Sequence, residues 1–138
     1  MKTTNELKNE IAKTKDMEKW MVENEKELQE YSLAQYLEQL LHVHGCSKKE
    51  VIVGADMDVV YGYQIFQGKK NPSRSNLLKI AFGFSLTVEE TERLLYYGKE
   101  ERLYPRVKRD AYIMYALYQK YTLQQANQYL YDKGQEPL

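Results

Sequence analysis

A short stretch with two histidines and the single cysteine is the first place where the sequence suggests metal chemistry. His42, His44 and Cys46 occupy alternate positions. On a helix, side chains two positions apart point in different directions, so these groups do not converge on one ion. A tetrahedral site needs four ligands, and the chain contains no other His or Cys. We therefore expect no metal and no cofactor.

Catalytic groups are equally scarce. The sequence has no Gly-rich phosphate-binding loop and places no nucleophile beside a base. With only two histidines, the chain has little from which to build a proton-transfer site. We expect that this protein is not an enzyme, and we assign no catalytic residue.

Basic side chains are concentrated in one segment of a chain that is neutral overall. The 138 residues include 20 Lys and Arg and 20 Asp and Glu. Residues 59–88 nevertheless contain Lys69, Lys70, Arg74 and Lys79 and no acid. A local surplus of positive charge is typical of surfaces that bind phosphates, although an ordinary solvated loop has the same composition. This segment is the first candidate for a binding surface.

The bulk composition is that of an ordinary globular protein, and the sequence favours the cytoplasm. At 43% hydrophobic and 29% charged residues it is typical of a globular domain. No apolar run approaches the roughly 18 to 20 residues that cross a bilayer, and the N-terminus lacks the apolar core of a signal peptide. A lone cysteine suits a reducing compartment. We expect a cytoplasmic protein without a membrane partner.

Helical periodicity and capping signals divide the chain into short helices. Ser32 precedes an apolar stripe that ends at Gly45. Ser47 to Glu50 form a capping box for a helix that runs to about Ala55, and a turn of about three residues follows. The next helix runs from Asp58, its N-cap, to Gln67. Gly68 then supplies the left-handed residue that ends it.

Further helices follow the same signals. Ser73 opens a helix with apolar positions to Phe84, and Thr87 begins a second capping box for a helix that ends at Gly98. The tail is expected to form two more, and two short helices are expected before residue 31. The first helix of the tail is expected from Tyr104–Pro105 through Tyr118, with Val107, Ala111, Met114 and Tyr118 on one side. The second is expected from Thr122 to Asp132 and is ended by Gly134. The two N-terminal helices are expected to have Thr4 and Asp16 as their N-caps.

The run from 47 to 95 resembles the phage repressor and Cro, or Xre, family of helix-turn-helix proteins. Gln67 to Ser73 is similar to the loop that follows the family's recognition helix, and Leu77 to Ala81 is similar to its fourth helix. The resemblance implies an all-α fold with a five-helix domain over 32–98. It also implies a bacterial or phage-derived transcription regulator that binds a near-palindromic site on double-stranded DNA as a homodimer.

The resemblance also implies which residues contact DNA. Base contacts fall on Val59, Val60, Tyr61 and Gln64. Gln64 alone can make a bidentate contact to adenine, and a valine can meet only a thymine methyl group. Phosphate contacts form the second set. Its members are Ser47, Tyr63, Lys69, Lys70 and Arg74.

Three positions depart from the family pattern. Ile52 stands where a small residue is preferred, Asp56 replaces the turn glycine, and Phe66 replaces a common glutamate. Val59 and Val60 therefore have an alternative assignment as buried residues or as a protein-binding face, whereas Tyr61 and Tyr63 are expected to be exposed. The alternative function is a protein-interaction adaptor that kept the fold and lost sequence-specific DNA binding.

A helical extension over 99–138, expected to pack on the same core, is rich in tyrosine. Tyr112, Tyr115, Tyr118 and Tyr121 recur every third residue, so their side chains spiral around a helix and are not all buried. Packing or dimerisation explains such a series, and stacking on single-stranded bases is an alternative. We expect packing or dimerisation to account for the series, with these helices as a candidate surface for a protein partner.

Overall fold

The computed structural model describes residues 2–28 and 31–138, and those residues contain helices and no strand. The all-α prediction is confirmed. Two compact units are present, one before residue 31 and one from residue 31 onward. The first contains α1 (Thr4–Lys13) and α2 (Met17–Glu23). The second contains the remaining helices: α3 (Leu33–His44), α4 (Lys48–Gly54), α5 (Val59–Phe66), α6 (Arg74–Phe84), α7 (Val88–Tyr97), α8 (Lys108–Tyr118) and α9 (Leu123–Asp132).

The first unit is held by a small polar network around one buried ring. Trp20 is buried, and its indole N–H donates to the Glu10 carboxylate at 3.2 Å. The Lys2 ammonium donates to Glu10 at 2.7 Å and to the Asn24 amide oxygen at 2.6 Å. Thr3, rather than the expected Thr4, caps α1, because the Thr3 hydroxyl accepts the backbone N–H of Glu6. Asp16 caps α2 as predicted.

Capping explains most helix boundaries of the second unit. Capping boxes begin α3, α4, α7 and α9, and each pairs a Ser or Thr side chain with the third residue of the helix. Gly45 ends α3 with φ +63°, and Gly68 and Gly134 follow α5 and α9 with φ +77° and +74°. These are left-handed conformations that glycine adopts without strain. The predicted boundaries from 32 to 98 therefore agree with the structure within one or two residues.

One hydrophobic core joins the second unit, including the C-terminal extension. Its apolar side chains come from α3 through α9, so the helices after residue 99 share the core of those before it. Its largest fully buried members are Leu37, Ile52, Ile65, Leu77, Leu78, Ile80, Leu86, Leu94, Leu95, Leu103, Ile113 and Leu130.

The predicted start of α8 is wrong, and the side of the helix that carries the predicted apolar residues is not the buried one. The helix begins at Lys108 rather than at Tyr104–Pro105, and its buried residues are Asp110, Ile113, Ala116 and Leu117. The predicted stripe is instead exposed or half-buried, at Val107, Ala111, Met114 and Tyr118. The physical reason is that Ile113, Ala116 and Leu117 form a second apolar stripe at helical spacing, and the Asp110 carboxylate on the same side is buried against the Arg74 guanidinium.

Close helix crossing at a glycine fixes the position of α5 on α4. A Cβ built on Gly62 would lie 2.7 Å from both γ-carbons of Ile52, which is itself fully buried. A large residue on α4 is therefore matched by the absence of a side chain on α5. This pairing accounts for Ile52 at a position where the resemblance predicts a small residue.

Gly62→Ala is expected to lower the free energy of unfolding by about 1–2 kcal/mol, because the buried Ile52 side chain has no space to move into. Adding Ile52→Val should recover part of that loss, so the double mutant should be more stable than the sum of the single changes predicts. Urea unfolding of the four proteins measures this coupling. Simple additivity would contradict the proposed contact.

Candidate nucleic-acid interface

The N-terminus of α5 is capped by an aspartate side chain that accepts a hydrogen bond from the helix backbone. Asp58 is the N-cap, and its Oδ2 accepts the backbone N–H of Tyr61 at 2.9 Å. Four residues separate α4 from α5, and Asp56 among them has φ +49°. Asp56, where the resemblance predicts a glycine, thus adopts a left-handed conformation, which Asp tolerates better than most residues.

One side of α5 is buried and the opposite side is exposed. Ile65 and Phe66 lie in the core, whereas Val59 is 41% exposed and Val60 is 66% exposed. Gln64 is half-buried, one turn after Val60. The alternative that the two valines are buried is therefore wrong, and they present an apolar patch at the start of the helix.

The tyrosines of α5 are less accessible than expected. Tyr61 and Tyr63 are both half-buried rather than exposed, and both pack against the core. The Tyr61 hydroxyl also accepts a hydrogen bond from the side-chain amide of Asn76 at 3.4 Å. Tyr61 is thus partly committed to contacts within the protein.

The loop after α5 presents two exposed lysines. The backbone N–H of Lys69 donates to the Gln64 carbonyl at 2.9 Å, so the left-handed Gly68 turns the chain back against the end of the helix. Lys69 and Lys70 are exposed, and within the described ranges neither side chain forms an ion pair. Their charges are therefore uncompensated beside the C-terminal end of α5.

Arg74, the third predicted phosphate contact of this segment, is used inside the protein. Its guanidinium makes a bidentate pair with the buried Asp110 carboxylate, with N–O distances of 3.1 and 3.0 Å. The same group donates to the backbone carbonyls of Glu101 and Arg102. Because these bonds occupy the planar donor edge of the guanidinium, we leave Arg74 out of the candidate interface.

Ser47 is exposed at the beginning of α4, where the resemblance places a phosphate contact. Its hydroxyl oxygen accepts the backbone N–H of Glu50 at 3.1 Å, and its O–H lies 3.0 Å from the Glu50 carboxylate. The neighbouring Lys49 is exposed, and Lys48 pairs with Glu38 at 3.2 Å. Ser47 therefore has a structural role in the cap that is independent of any ligand.

His44 and Cys46 have separate environments in the structure and do not form a common site. His44 Nε2 lies 2.8 Å from Glu90 Oε2, and this contact joins the end of α3 to the start of α7. Cys46 is half-buried, and burial raises the pKa of its thiol. Over 2–28 and 31–138, no group of three potential ligands is close enough to hold a metal ion.

Stability should depend on the ionisation of Glu90. Burial raises the pKa of Glu90, but the Thr87 amide and the His44 ring together outweigh it and hold the pKa below its ordinary value of 4.5. The stabilisation is thus present above pH 4.5 and is lost as the pH falls through the folded-state pKa. Glu90→Gln should lower the free energy of unfolding by about 1 kcal/mol at pH 7, and by progressively less as the pH falls below 4.5. Urea unfolding at several pH values measures this difference; a pH-independent difference would contradict it.

The predicted tyrosine series divides into packed and exposed members. The rings of Tyr112, Tyr115 and Tyr121 on or just after α8 all contact the ring of Tyr129 on α9, with centroid distances of 5.7, 5.3 and 6.0 Å. Tyr118 is 61% exposed. Packing between the last two helices therefore explains most of the series.

Sequence reasoning missed Gly62, Asn76 and Asp110. Gly62 was visible only as a helix-interior glycine, a residue that is unfavourable there unless close packing requires it. Asp110 carried a weaker signal, because an acid in the first turn of a helix is ordinarily explained by the helix dipole. Its pairing with Arg74 spans 36 positions and has no local sequence pattern.

Comparison with known proteins adds no identification. No protein family, curated protein or solved structure matches this chain. Within the described ranges, no helix is both long enough and apolar enough to cross a membrane. The exposed surface of α5 and the loop that follows it are therefore the features of this chain that bear on its function.

Proposed function

We propose that this protein is a DNA-binding transcription regulator of the repressor-like helix-turn-helix type. In this proposal α4 and α5 are the two helices of the motif, and α5 enters the major groove. The observation that carries it is the exposed side of α5 next to two uncompensated lysines, Lys69 and Lys70. Lysines at that position neutralise phosphates and thereby hold a short helix against the groove.

The proposal extends to a dimer working in the cytoplasm on a near-palindromic site. Two copies of α5 related by a two-fold axis would meet successive major-groove faces about 34–36 Å apart. The extension after residue 99 shares the core of the proposed motif, so its exposed tyrosines are available for contacts between copies or with another protein.

Fluorescence polarisation with labelled duplex fragments of the source genome tests this function. We expect binding at low salt at micromolar protein or below, weakening steeply as salt is added. Lys69→Ala should weaken binding to every fragment and lower the slope of log affinity against log salt by about one. Lys108→Ala, which removes an exposed base on α8, is the matched control and should leave the slope unchanged. Absence of binding at micromolar protein and low salt would contradict the proposal.

A protein-interaction adaptor is the second candidate, favoured by the composition of α5. The helix has no charged side chain from Val59 to Phe66, and its most exposed residue is Val60. The same valines would then contact an apolar surface of a partner. Val60→Ala should reduce capture of that partner from nuclease-treated lysate while Lys69→Ala does not; the reverse dependence supports DNA binding.

A further inference from the structure

We infer that the DNA site of this protein is A·T-rich and that thymine methyl groups carry much of its sequence preference. The inference depends on the proposed DNA-binding function and assigns the base-reading residues within it. Val59 and Val60 are the methyl contacts, and Gln64 reads adenine.

The chemistry of α5 excludes the usual contacts to G·C pairs. Guanine is most often read by Arg or Lys, and cytosine by Asp or Glu. From Val59 to Phe66 the helix contains none of these four residue types. The nearest acid, Asp58, is engaged as the N-cap, with its carboxylate 2.9 Å from the Tyr61 amide nitrogen. The face that enters the groove therefore has no charged base reader.

The groups that remain match an A·T pair on both of its bases. Val60 is the most exposed residue of α5, and Val59 adds a second branched apolar side chain beside it. The thymine C5-methyl is the apolar group that the major groove displays. Gln64 lies one turn after Val60, and a glutamine amide can donate to N7 and accept from N6 of adenine. Tyr61 is partly committed to Asn76, so it competes little for this role.

Replacing thymine by deoxyuridine in the duplex tests the inference directly, because it removes only the methyl group. The probe is an A·T-rich duplex bound by the wild-type protein, with a second copy in which every thymine is deoxyuridine. At about 0.8 kcal/mol for each buried methyl, loss of the two methyl contacts of one copy should weaken binding about ten-fold, and loss of both copies' contacts in a dimer should weaken it about a hundred-fold. A duplex of equal length rich in G·C pairs should bind more weakly than the thymine duplex.

Variants separate a methyl contact from a change in DNA stiffness. Val60→Ala removes one contact from each copy, so it should reduce the ratio of the two dissociation constants, for thymine and deoxyuridine duplexes, to about three-fold for one copy and about ten-fold for a dimer. Val43→Ala, which alters a comparably exposed valine on α3, should retain the full ratio. Equal affinity for both duplexes would overturn the inference and leave DNA binding intact. Failure to bind any duplex at low salt would instead contradict the proposed function.

Discussion

Replacing Gly83 by alanine is expected to lower the free energy of unfolding by about 3 kcal/mol, at the upper end of the cost of overpacking a core. A Cβ at this position would lie 2.5 Å from the Val51 carbonyl oxygen and 3.1 Å from the Ala55 backbone nitrogen. These are backbone atoms of α4 and of its C-cap, so relief requires a shift of the whole helix rather than a change of rotamer. Urea unfolding followed by circular dichroism measures the change.

A surface position on the same helix provides the control for this substitution. Ser75→Ala alters an exposed residue of α6, and we expect its effect to remain within about 0.5 kcal/mol. Alanine is ordinarily more favourable than glycine inside a helix by roughly 0.5–1 kcal/mol. A neutral or stabilising Gly83→Ala would therefore contradict the close approach of α4 and α6.

Asp110→Ala is expected to cost about 3 kcal/mol of unfolding free energy, because it leaves the Arg74 guanidinium without its buried partner. The carboxylate also accepts the backbone N–H of Tyr104 at 3.0 Å, so the substitution also removes a hydrogen bond that holds the loop before α8. Thermal and urea unfolding measure the loss. The matched control is Glu38→Ala, which breaks the exposed pair with Lys48 and should cost less than about 1 kcal/mol.

Substitution of Arg74 distinguishes a structural role of this arginine from a role in contacting phosphate. Arg74→Ala should destabilise the fold to a similar degree as Asp110→Ala, and under conditions where the variant remains folded it should not change the salt slope of DNA binding. A reduced salt slope with unchanged stability would contradict the internal role of Arg74. Equal costs for Asp110→Ala and Glu38→Ala would likewise show that burial adds nothing to this ion pair.

Local signals made the helix boundaries predictable, whereas long-range pairing did not. The cap at Ser47 depends on a partner three residues away, so its geometry follows from sequence. The buried face of α8 is indicated by Ile113, Ala116 and Leu117, a second apolar stripe at helical spacing that the predicted stripe overlooks. The burial of Asp110 is not predictable in this way, because its partner Arg74 lies 36 positions away.

The position of the candidate site along the chain was predictable, whereas the exposure of its individual side chains was not. Asp58 and Gly68 indicated the bounds of α5, and the structure adds that Val59 and Val60 are exposed while Tyr61 is half-buried. The accessibility of a side chain on a short helix depends on which neighbours cover it, and those neighbours come from α3, α4 and α6. The sequence alone therefore left the role of the valines open.

Selection of bound molecules from a pool of randomised duplex DNA is the most direct test of the central claim. We predict enrichment of an A·T-rich element, arranged for a dimer as an inverted repeat with centres about one helical turn apart. The selected duplex should bind at least about a hundred-fold more tightly than unselected DNA at the same salt concentration. A selected pool with the base composition and affinity of the starting pool would contradict sequence-specific DNA binding by this protein.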